Sequence, residues 1–289
     1  MPERARHKTR NYCFFLLPGT RRNSPMSSYL KEHAFYYDIF YADKPYAKEA
    51  EFVHQRLEEF SGNRVERVIE LACGTGSHAL ALEKYGYKIT AIDYSEDMLA
   101  RARTKAEKNA SSVRFLLNDM RTHETEGGPF DAAICLFDSI GYVNTNDAVV
   151  EVLRRANDHL RDRGLFLFEF WHAAAMLRHY EPTRVRRWST DQGQLVRISE
   201  TQLDVLRQLA IVTYSIHHFH RDGFCSSLTE TQTNRYFLVQ EMSALLAGSG
   251  FTPLKWYAGF DQDEEITLDT WHIVAVAQKS TGTYERPVR

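Results

Sequence analysis

The segment "VIELACGTGSHALALEKYGYKITAIDYS", Val68–Ser95, decides the fold of this chain. A hydrophobic run leads to an acid, Glu70, and a glycine-rich turn follows. A second apolar run then ends in another acid, Asp93. A strand, a glycine turn, a helix and a second strand in this order begin an open parallel sheet, which binds ligands at the carboxyl ends of its strands. The layout therefore predicts a site for a nucleoside-containing cofactor.

Strand and helix signals alternate on both sides of this segment. Helical periodicity covers Tyr29–Phe60, and Pro45 suits the start of the second of two helices there. Further apolar strands are predicted at Val113–Leu117, Ala132–Phe137 and Leu165–Phe170, with helices between them. Apolar strands that alternate with helices indicate an α/β fold with a parallel sheet buried on both faces.

The pattern changes to consecutive β-rich segments between Thr183 and Phe237, where "HRDG", His220–Gly223, suits a hairpin turn. We expect an antiparallel sheet inserted after the fifth strand, as a substrate lid or a surface for a homo-oligomer. The chain then divides into a disordered N-terminal tail (1–27), cap helices with the cofactor-binding part (28–182), the β insertion (183–238), the C-terminal part of the main domain (239–280) and a short tail (281–289). Met26 is an alternative start of the chain.

Composition restricts the class of protein. The 289 residues carry a formal net charge of −2, which argues against a broad surface for nucleic acid or an anionic membrane. The four cysteines lie far apart, so neither a disulfide framework nor a zinc site is expected, and a reducing cytoplasm suits the chain. No apolar run approaches the roughly 20 residues that span a bilayer. We predict a cytoplasmic protein whose partner is a small molecule, with no nucleic acid and no membrane.

The glycine turn alone does not identify the cofactor. "GTGSHA", Gly74–Ala79, matches G-x-G-x-x-A, which nicotinamide dinucleotide sites also show. Glu70 separates the two possibilities, because an acid directly before the glycine loop repels a pyrophosphate. The same acid suits a cofactor with an ammonium group.

Acids end the next two strands as well. A carboxylate at Asp93 can accept both hydroxyls of a ribose. Asp119 ends the third strand, where it can accept a hydrogen bond from an adenine amino group, and Met98 or Met120 can pack on the ring. Each residue alone could be structural: a turn former, a helix cap or a loop acid. Their order at three successive strand ends favours the cofactor site.

These motifs resemble those of the class I S-adenosylmethionine-dependent methyltransferases, with "ELACGTGSHA", "AIDYSEDML", "NDMR" and "FDAAICLFDSIGYV" as the first to fourth motifs. The resemblance implies a Rossmann-like, seven-stranded sheet whose last strand is antiparallel, and S-adenosylmethionine as the cofactor. It implies that Asp93 holds the ribose, that Asp119 and Met120 hold the adenine, and that Gly74 and Gly76 shape the turn under the methionine part. The predicted cofactor-binding residues are Tyr37, Tyr46, Glu70, Ala72, Gly74, Gly76, Asp93, Tyr94, Met98, Asp119, Met120 and Leu136.

The methyl acceptor is less clearly encoded. "LFDSIGYV" replaces the Asn-Pro-Pro-aromatic loop of enzymes that methylate amino groups of bases or glutamine. That segment, with "YYDIFYADKPYAKEA" and "FEFW", resembles the small-molecule subgroup, which includes sugar-nucleotide and glycine-type N-methyltransferases whose N-terminal helices cap the cofactor. The resemblance implies in-line methyl transfer to a small molecule. A neutral amine needs little help from a base, whereas a hydroxyl needs a base or a metal. No motif for a general base and no cluster of metal ligands follows the fourth strand, so we expect an amine acceptor and no metal.

Several side chains are candidates for contacts with the acceptor. Tyr142 follows the fourth strand and either orients the acceptor or packs as a loop aromatic. The "HHFH" segment, His217–His220, more often makes a solvated strand edge than a metal site. A basic cluster of Arg178, Arg184, Arg186 and Arg187 is either solvated or binds phosphates. The predicted substrate-binding residues are Asp138, Ser139, Glu169, Trp171 and Arg197.

Three other functions remain possible at this point. A non-catalytic S-adenosylmethionine-binding protein would carry the same binding motifs. An O-methyltransferase differs only in the acceptor. A dehydrogenase could use the same glycine turn, but Glu70, Asp119 and the lack of a Tyr-x-x-x-Lys pair argue against it.

Overall fold

The computed structural model describes residues 32–125 and 127–281, so the predicted tails at 1–27 and beyond 281 lie outside the described residues. The helices are α1 (Glu32–Phe40), α2 (Tyr46–Phe60), α3 (Ser77–Glu83), α4 (Glu96–Lys108), α5 (Asn146–His159), α6 (Ala173–Arg178) and α7 (Val239–Ala247). The strands are β1 (Arg67–Leu71), β2 (Lys88–Asp93), β3 (Arg114–Leu117), β4 (Phe130–Cys135), β5 (Leu160–Trp171), β6 (Thr183–Thr190), β7 (Gly193–Asp204), β8 (Leu209–His220), β9 (Cys225–Arg235), β10 (Phe251–Ala258) and β11 (His272–Lys279). Among the described helices, none combines the length and the apolar character that a membrane span requires.

The main sheet has seven strands in the order β10-β11-β5-β4-β1-β2-β3. Strands β1 to β5 are parallel, and β11 runs antiparallel to both β5 and β10. The predicted Rossmann-like sheet with an antiparallel last strand is confirmed. Because β11 is reversed, its first residue lies at the edge where β1 to β5 end.

Both faces of this sheet are buried, as the apolar strands predict. Along β5, Leu165 and Leu167 belong to the core on one face, and Phe166, Phe168 and Phe170 belong to the core on the other. This alternation follows from the two-residue repeat of a strand. The helices on the two faces cover both cores and leave the carboxyl edge open for a site.

Strand β5 is longer than the sequence predicts. We expected Leu165–Phe170, but the strand begins at Leu160 and includes the charged stretch Arg161–Gly164. Its pairing with β4 shifts register between Phe130 and Ala132. Arg161 forms an ion pair with Asp131 of β4 at 3.1 Å, and Arg163 has φ +60°, so the charged stretch forms a bulge in the pairing with β4.

The insertion forms a separate antiparallel sheet in the order β6-β7-β8-β9, which confirms the predicted inserted sheet. The turn between β8 and β9 falls at Arg221–Gly223, within the "HRDG" segment. One face of this sheet packs on α1, where Phe40 clusters with Leu195 and Ile216. The insertion and the N-terminal helices therefore lie together over the open edge of the main sheet.

Candidate active site

The loop between β1 and α3 requires its two glycines for different reasons. Gly76 has φ +75°, and a Cβ there would lie 2.7 Å from the ring of Phe115. Gly74 has φ +56°, and a Cβ there would lie 3.4 Å from Met98 and 4.0 Å from the Tyr37 hydroxyl. Left-handed backbone is open to glycine without steric cost. Gly76 thus lets the loop pack against β3, and Gly74 keeps space beside Tyr37.

Asp93 ends β2 and is joined to this loop. Its Oδ2 accepts a hydrogen bond from the Gly74 amide at 2.8 Å, and its Oδ1 accepts one from the Ser95 amide at 2.8 Å. Burial raises the pKa of Asp93 to about 6. The Tyr94 amide also donates to this carboxylate, and a carboxylate has about four lone-pair sites, so the group can still accept hydroxyl donors.

One pocket extends from Asp93 towards the end of β3. Asp119 is held there by Arg121, whose Nε lies 3.0 Å from both carboxylate oxygens. Tyr142 is part of this pocket, and its hydroxyl donates to Gln232 of β9 at 3.4 Å. The lining residues are Ala72, Asp93, Tyr94, Asn118, Asp119, Met120, Arg121, Tyr142 and Val143. The structure brings together the predicted ribose and adenine residues, and it places Tyr142 with them.

A second, small pocket adjoins the glycine loop. Tyr37 of α1 and Tyr46 of α2 reach over it, next to Glu70 and Ser139. It is lined by Tyr37, Tyr46, Glu70, Ala72, Cys73, Gly74, Thr75, Ser77, His78, Leu136, Phe137 and Ser139. Met98 packs beside it against Tyr37. Most of the predicted methionine-end residues therefore lie around one space.

Glu70 is the unusual group in this pocket. Its side chain is buried, and Oε2 has no hydrogen-bond partner among the described residues. Burial, followed by the nearby charge of Asp93, raises the pKa of Glu70 to about 8. A buried carboxylate oxygen without a donor indicates a ligand that supplies one, because an unpaired buried polar group is costly. An ammonium group satisfies that need.

We expect binding of S-adenosylhomocysteine, which carries an ammonium group, to tighten between about pH 7 and about pH 8.5 because Glu70 ionises there. The opposite charge favours the ionised carboxylate, so acid weakens binding as it protonates Glu70. Titration calorimetry across this range measures the slope. Glu70→Gln should be flat over the same range, while Glu83→Gln, at the exposed end of α3, should keep the wild-type slope. An unchanged slope in Glu70→Gln would assign the effect to another group.

A larger cleft of about 620 Å³ opens beside this small pocket. It lies between the α1–α2 junction, the outer strand β6 and the chain that follows β10. The cleft is lined by Phe40, Tyr41, Asp43, Lys44, Pro45, Glu49, Phe137, Glu169, Arg186, Arg187, Trp188, Gly259, Phe260 and His272. Phe137 lines both spaces, so this residue stands at their boundary.

Phe137 is held in a strained position. Phe137 and Asp138 have φ +58° and +55°, a region that side-chain-bearing residues rarely adopt. The Phe137 amide donates to Glu169 Oε2 at 2.6 Å. Lys44, which pairs with Glu49, places its ammonium 4.5 Å from the centre of the Phe137 ring. Strain of this kind is found where a structure fixes a functional loop.

A cluster of Asp138, Glu169 and His272 lies under this boundary. His272 Nδ1 is 3.0 Å from Glu169 Oε1 and 3.1 Å from Asp138 Oδ2. Both carboxylates are buried, and the charge of Asp138 raises the pKa of His272 to about 11. Among the described residues this is the one group whose ligand atoms could surround a metal ion. The imidazolium already balances much of the negative charge, so the ion-pair geometry needs no metal.

His272, Phe137 and Lys44 are not among the site residues predicted from the sequence. His272 begins β11, the reversed last strand. The first residue of that strand lies at the edge of the sheet where the parallel strands end, so a histidine at this position could have been predicted as a site residue. The other two residues carried no recognisable pattern.

The other residues predicted to contact the acceptor do not all lie at the cleft. Glu169 lines the cleft, whereas Trp171 packs on Tyr236 away from it. Arg197 is 6% exposed and lies behind Phe40 and Trp188. The described residues that line the cleft do not include Tyr142, and its role with the acceptor stays a prediction.

The structure also shows the contacts of the predicted basic cluster and of the histidine segment. Arg178 pairs with Asp269 at 3.3 Å and Arg184 with Glu181 at 3.1 Å, while Arg186 lines the cleft. His218 is buried with Nδ1 3.2 Å from the Tyr36 hydroxyl, and its ring packs on His220 with centroids 3.7 Å apart. Within the described part of the chain these histidines join no group of metal-ligand type.

Comparison with known proteins identifies the family. Residues 68–164 match the family described as "Methyltransferase domain". The dTDP-3-amino-3,6-dideoxy-alpha-D-glucopyranose N,N-dimethyltransferase of Streptomyces fradiae is 30% identical over 230 residues, which are 76% of this chain and 87% of that protein. The chain belongs to the S-adenosylmethionine-dependent methyltransferases. Their cofactor is S-adenosylmethionine, and the seven-stranded sheet is that of the class I methyltransferases.

Solved structures support the same fold. An S-adenosylmethionine-dependent methyltransferase from Clostridium acetobutylicum ATCC 824 superposes with a TM-score of 0.72 at 21% identity, covering 85% of this chain and 96% of that one. CalS10, an amino pentose methyltransferase from Micromonospora echinaspora with bound S-adenosylmethionine, gives a TM-score of 0.69 at 18% identity and covers 88% of this chain and 100% of that one. The orphaned Glu70 oxygen and the Asp93 carboxylate suit the ammonium and ribose groups of this cofactor.

Proposed function

We propose that this methyltransferase transfers a methyl group to the nitrogen of a small-molecule amine. The observation that carries the proposal is the cleft of about 620 Å³ that shares Phe137 with the predicted methionine pocket. A small molecule in that cleft lies next to the place where the methyl group is presented. The Streptomyces fradiae relative, whose name describes dimethylation of an amino sugar nucleotide, supports nitrogen as the acceptor atom and such sugars as first candidates.

The proposal gives each residue of the site a role that the geometry supports. Asp93 binds the ribose, Asp119 with Met120 the adenine, and Glu70 the ammonium end of the cofactor. The bound cofactor supplies a methyl group on a positively charged sulfur, so the protein needs mainly to position the nucleophile and exclude water. Phe137 and Tyr41, whose rings lie 4.9 Å apart, separate the two spaces and shield the reacting atoms. The insertion (183–238) closes the cleft as a lid through Arg186 and Trp188.

A neutral amine requires no strong base in this site. No buried or half-buried histidine or carboxylate of the described cleft lining is left unpaired, because Glu169 pairs with His272 and Glu49 pairs with Lys44. The remaining acid of the lining, Asp43, is exposed to solvent. This arrangement favours an amine over a hydroxyl acceptor.

The test is methyl transfer with labelled S-adenosylmethionine on a panel of small amines, amino sugar nucleotides first, with the matching hydroxyl compounds beside them. We expect the label on the amines and on none of the matching alcohols. Transfer to the alcohols alone would replace the proposal with O-methylation. Binding of S-adenosylhomocysteine without transfer to any member would favour a non-catalytic binding protein.

A further inference from the structure

Two arginines stand directly opposite each other in the insertion. In the β6–β7 pair, Arg186 faces Arg197, and the neighbouring pair on the same face is Trp188 with Leu195. Opposed residues of an antiparallel pair have Cβ atoms about 5 Å apart, and like charges in this position are destabilising. That face packs on α1, where Leu195 clusters with Phe40, and its Arg186 lines the cleft.

Arg197 is buried and forms no ion pair with an acid in the described part of the chain. It is 6% exposed, and four aromatic rings surround its guanidinium at 4.7 to 5.9 Å. Its Nε has no hydrogen-bond partner, and within the described chain neither Arg197 nor Arg186 pairs with a carboxylate. Aromatic faces attract a cation, but a buried charge normally also requires a counter-charge. Arg184, two residues along β6, has such a partner in Glu181 at 3.1 Å.

Of this pair, Arg186 lines the cleft, whereas Arg197 lies behind two of the aromatic rings that line it. Arg186 lines the cleft together with Phe40 and Trp188, the two rings that cover Arg197. Glu169, His272 and Phe137 also line the cleft, and the Phe137 amide donates to Glu169. The cleft is therefore bordered by basic side chains of the insertion, by aromatic rings and by residues next to the cofactor pocket.

We propose that Arg186 and Arg197 bind an oxyanion of the methyl acceptor, a phosphate or a carboxylate. This inference rests on the proposed function, and it makes the acceptor an amine that also carries a negative group. Paired guanidinium groups present parallel N–H donors that match either oxyanion, and charge-assisted bonds of this kind are the strong ones. The oxyanion supplies the counter-charge that Arg197 lacks and relieves the repulsion between the two arginines.

The experiment uses the full chain saturated with S-adenosylhomocysteine and two probes, inorganic pyrophosphate and succinate, at fixed ionic strength. We expect the wild type to bind at least one probe, and Arg186→Gln to weaken that binding about tenfold or more. Arg184→Gln is the matched control, and it should bind the probes as the wild type does. Arg197→Gln should show the same loss as Arg186→Gln. If that buried change prevents folding, Arg197→Lys replaces it, because lysine keeps the charge but loses the paired donors.

Preference for pyrophosphate assigns a phosphate-bearing acceptor, and preference for succinate assigns a carboxylate-bearing one; either supports the inference. Failure of the wild type to bind either probe at about 10 mM, which corresponds to less than about 3 kcal/mol, would overturn it. Equal binding by Arg186→Gln would overturn it as well. Binding of S-adenosylhomocysteine, measured first in every sample, checks that each variant keeps its cofactor site. Methyl transfer to the amine panel tests the proposed function separately, so the two failures remain distinguishable.

Discussion

Replacing Asp93 with alanine should weaken binding of S-adenosylhomocysteine about a hundredfold or more. The reason is that two ribose hydroxyls lose a charged acceptor, and each hydrogen bond to a charged group contributes about 1.5–3 kcal/mol. Titration calorimetry on both proteins measures the ratio. Asp93→Asn should lie between the two, since an amide keeps one acceptor oxygen but no charge.

The Asp93 carboxylate also accepts hydrogen bonds from Gly74 and Ser95 at 2.8 Å, so its loss could disturb the glycine loop. Two controls separate that effect from lost contact with the cofactor. Ser95→Ala removes the hydroxyl that accepts the Met98 amide at 3.3 Å, and a helix cap of this kind is worth about 1 kcal/mol of folding stability. Glu96→Gln changes an exposed acid in the next turn. Both controls should bind S-adenosylhomocysteine within about threefold of wild type. Asp93→Ala binding in that same range would remove Asp93 from the cofactor site.

Much of the fold was accessible from sequence because its determinants are local. The apolar runs around Val68–Ser95 specify buried strands, and acids such as Asp93 and Asp119 fall at strand ends. Parallel strands bring such ends to one edge, so the positions of these acids relative to each other follow without knowledge of long-range contacts. Serine is a residue type that caps helices, and the Ser95 hydroxyl accepts the Met98 amide in the first turn of α4.

The residues around the methyl acceptor were harder to predict from the sequence, because their positions depend on contacts between elements that are distant along the chain. His272 reaches Asp138 only through the pairing of β11 with β5, 134 residues from its partner. Alternation in β7 shows that Arg197 shares a face with Leu195, but not that α1 covers that face. The sequence therefore predicted that Arg197 contacts the substrate, but it did not predict that this arginine is buried. Helix α6 has only six residues and carries no full amphipathic repeat, so it was not predicted.

Replacing His272 with glutamine should cost about 3 kcal/mol of folding stability, the low end of the range for breaking a buried ion pair because the imidazole is partly exposed. The change leaves Asp138 and Glu169, both buried, without their common cation. It also loosens the loop that holds Phe137, so methyl transfer should fall by more than about tenfold. Urea unfolding and initial rates measure the two effects. Adding Glu169→Gln to the variant should restore part of the stability, since an amide needs no counter-ion.

The pH dependence identifies the cause of this loss. The pKa of His272 is about 11 in the folded protein, above its usual value near 6.5, so its contribution is complete below about pH 6.5 and is lost as pH rises towards 11. Burial raises the pKa of Asp138 to about 6, so this carboxylate stays ionised over most of that range and takes up a proton only below it. The stability difference between wild type and His272→Gln should therefore shrink from pH 7 to pH 10. His179→Gln, which breaks an exposed pair with Asp269, should cost under about 1 kcal/mol. If both histidine variants lost the same stability, with no change at alkaline pH, His272 would be an ordinary surface residue rather than the cation that holds the active-site loop.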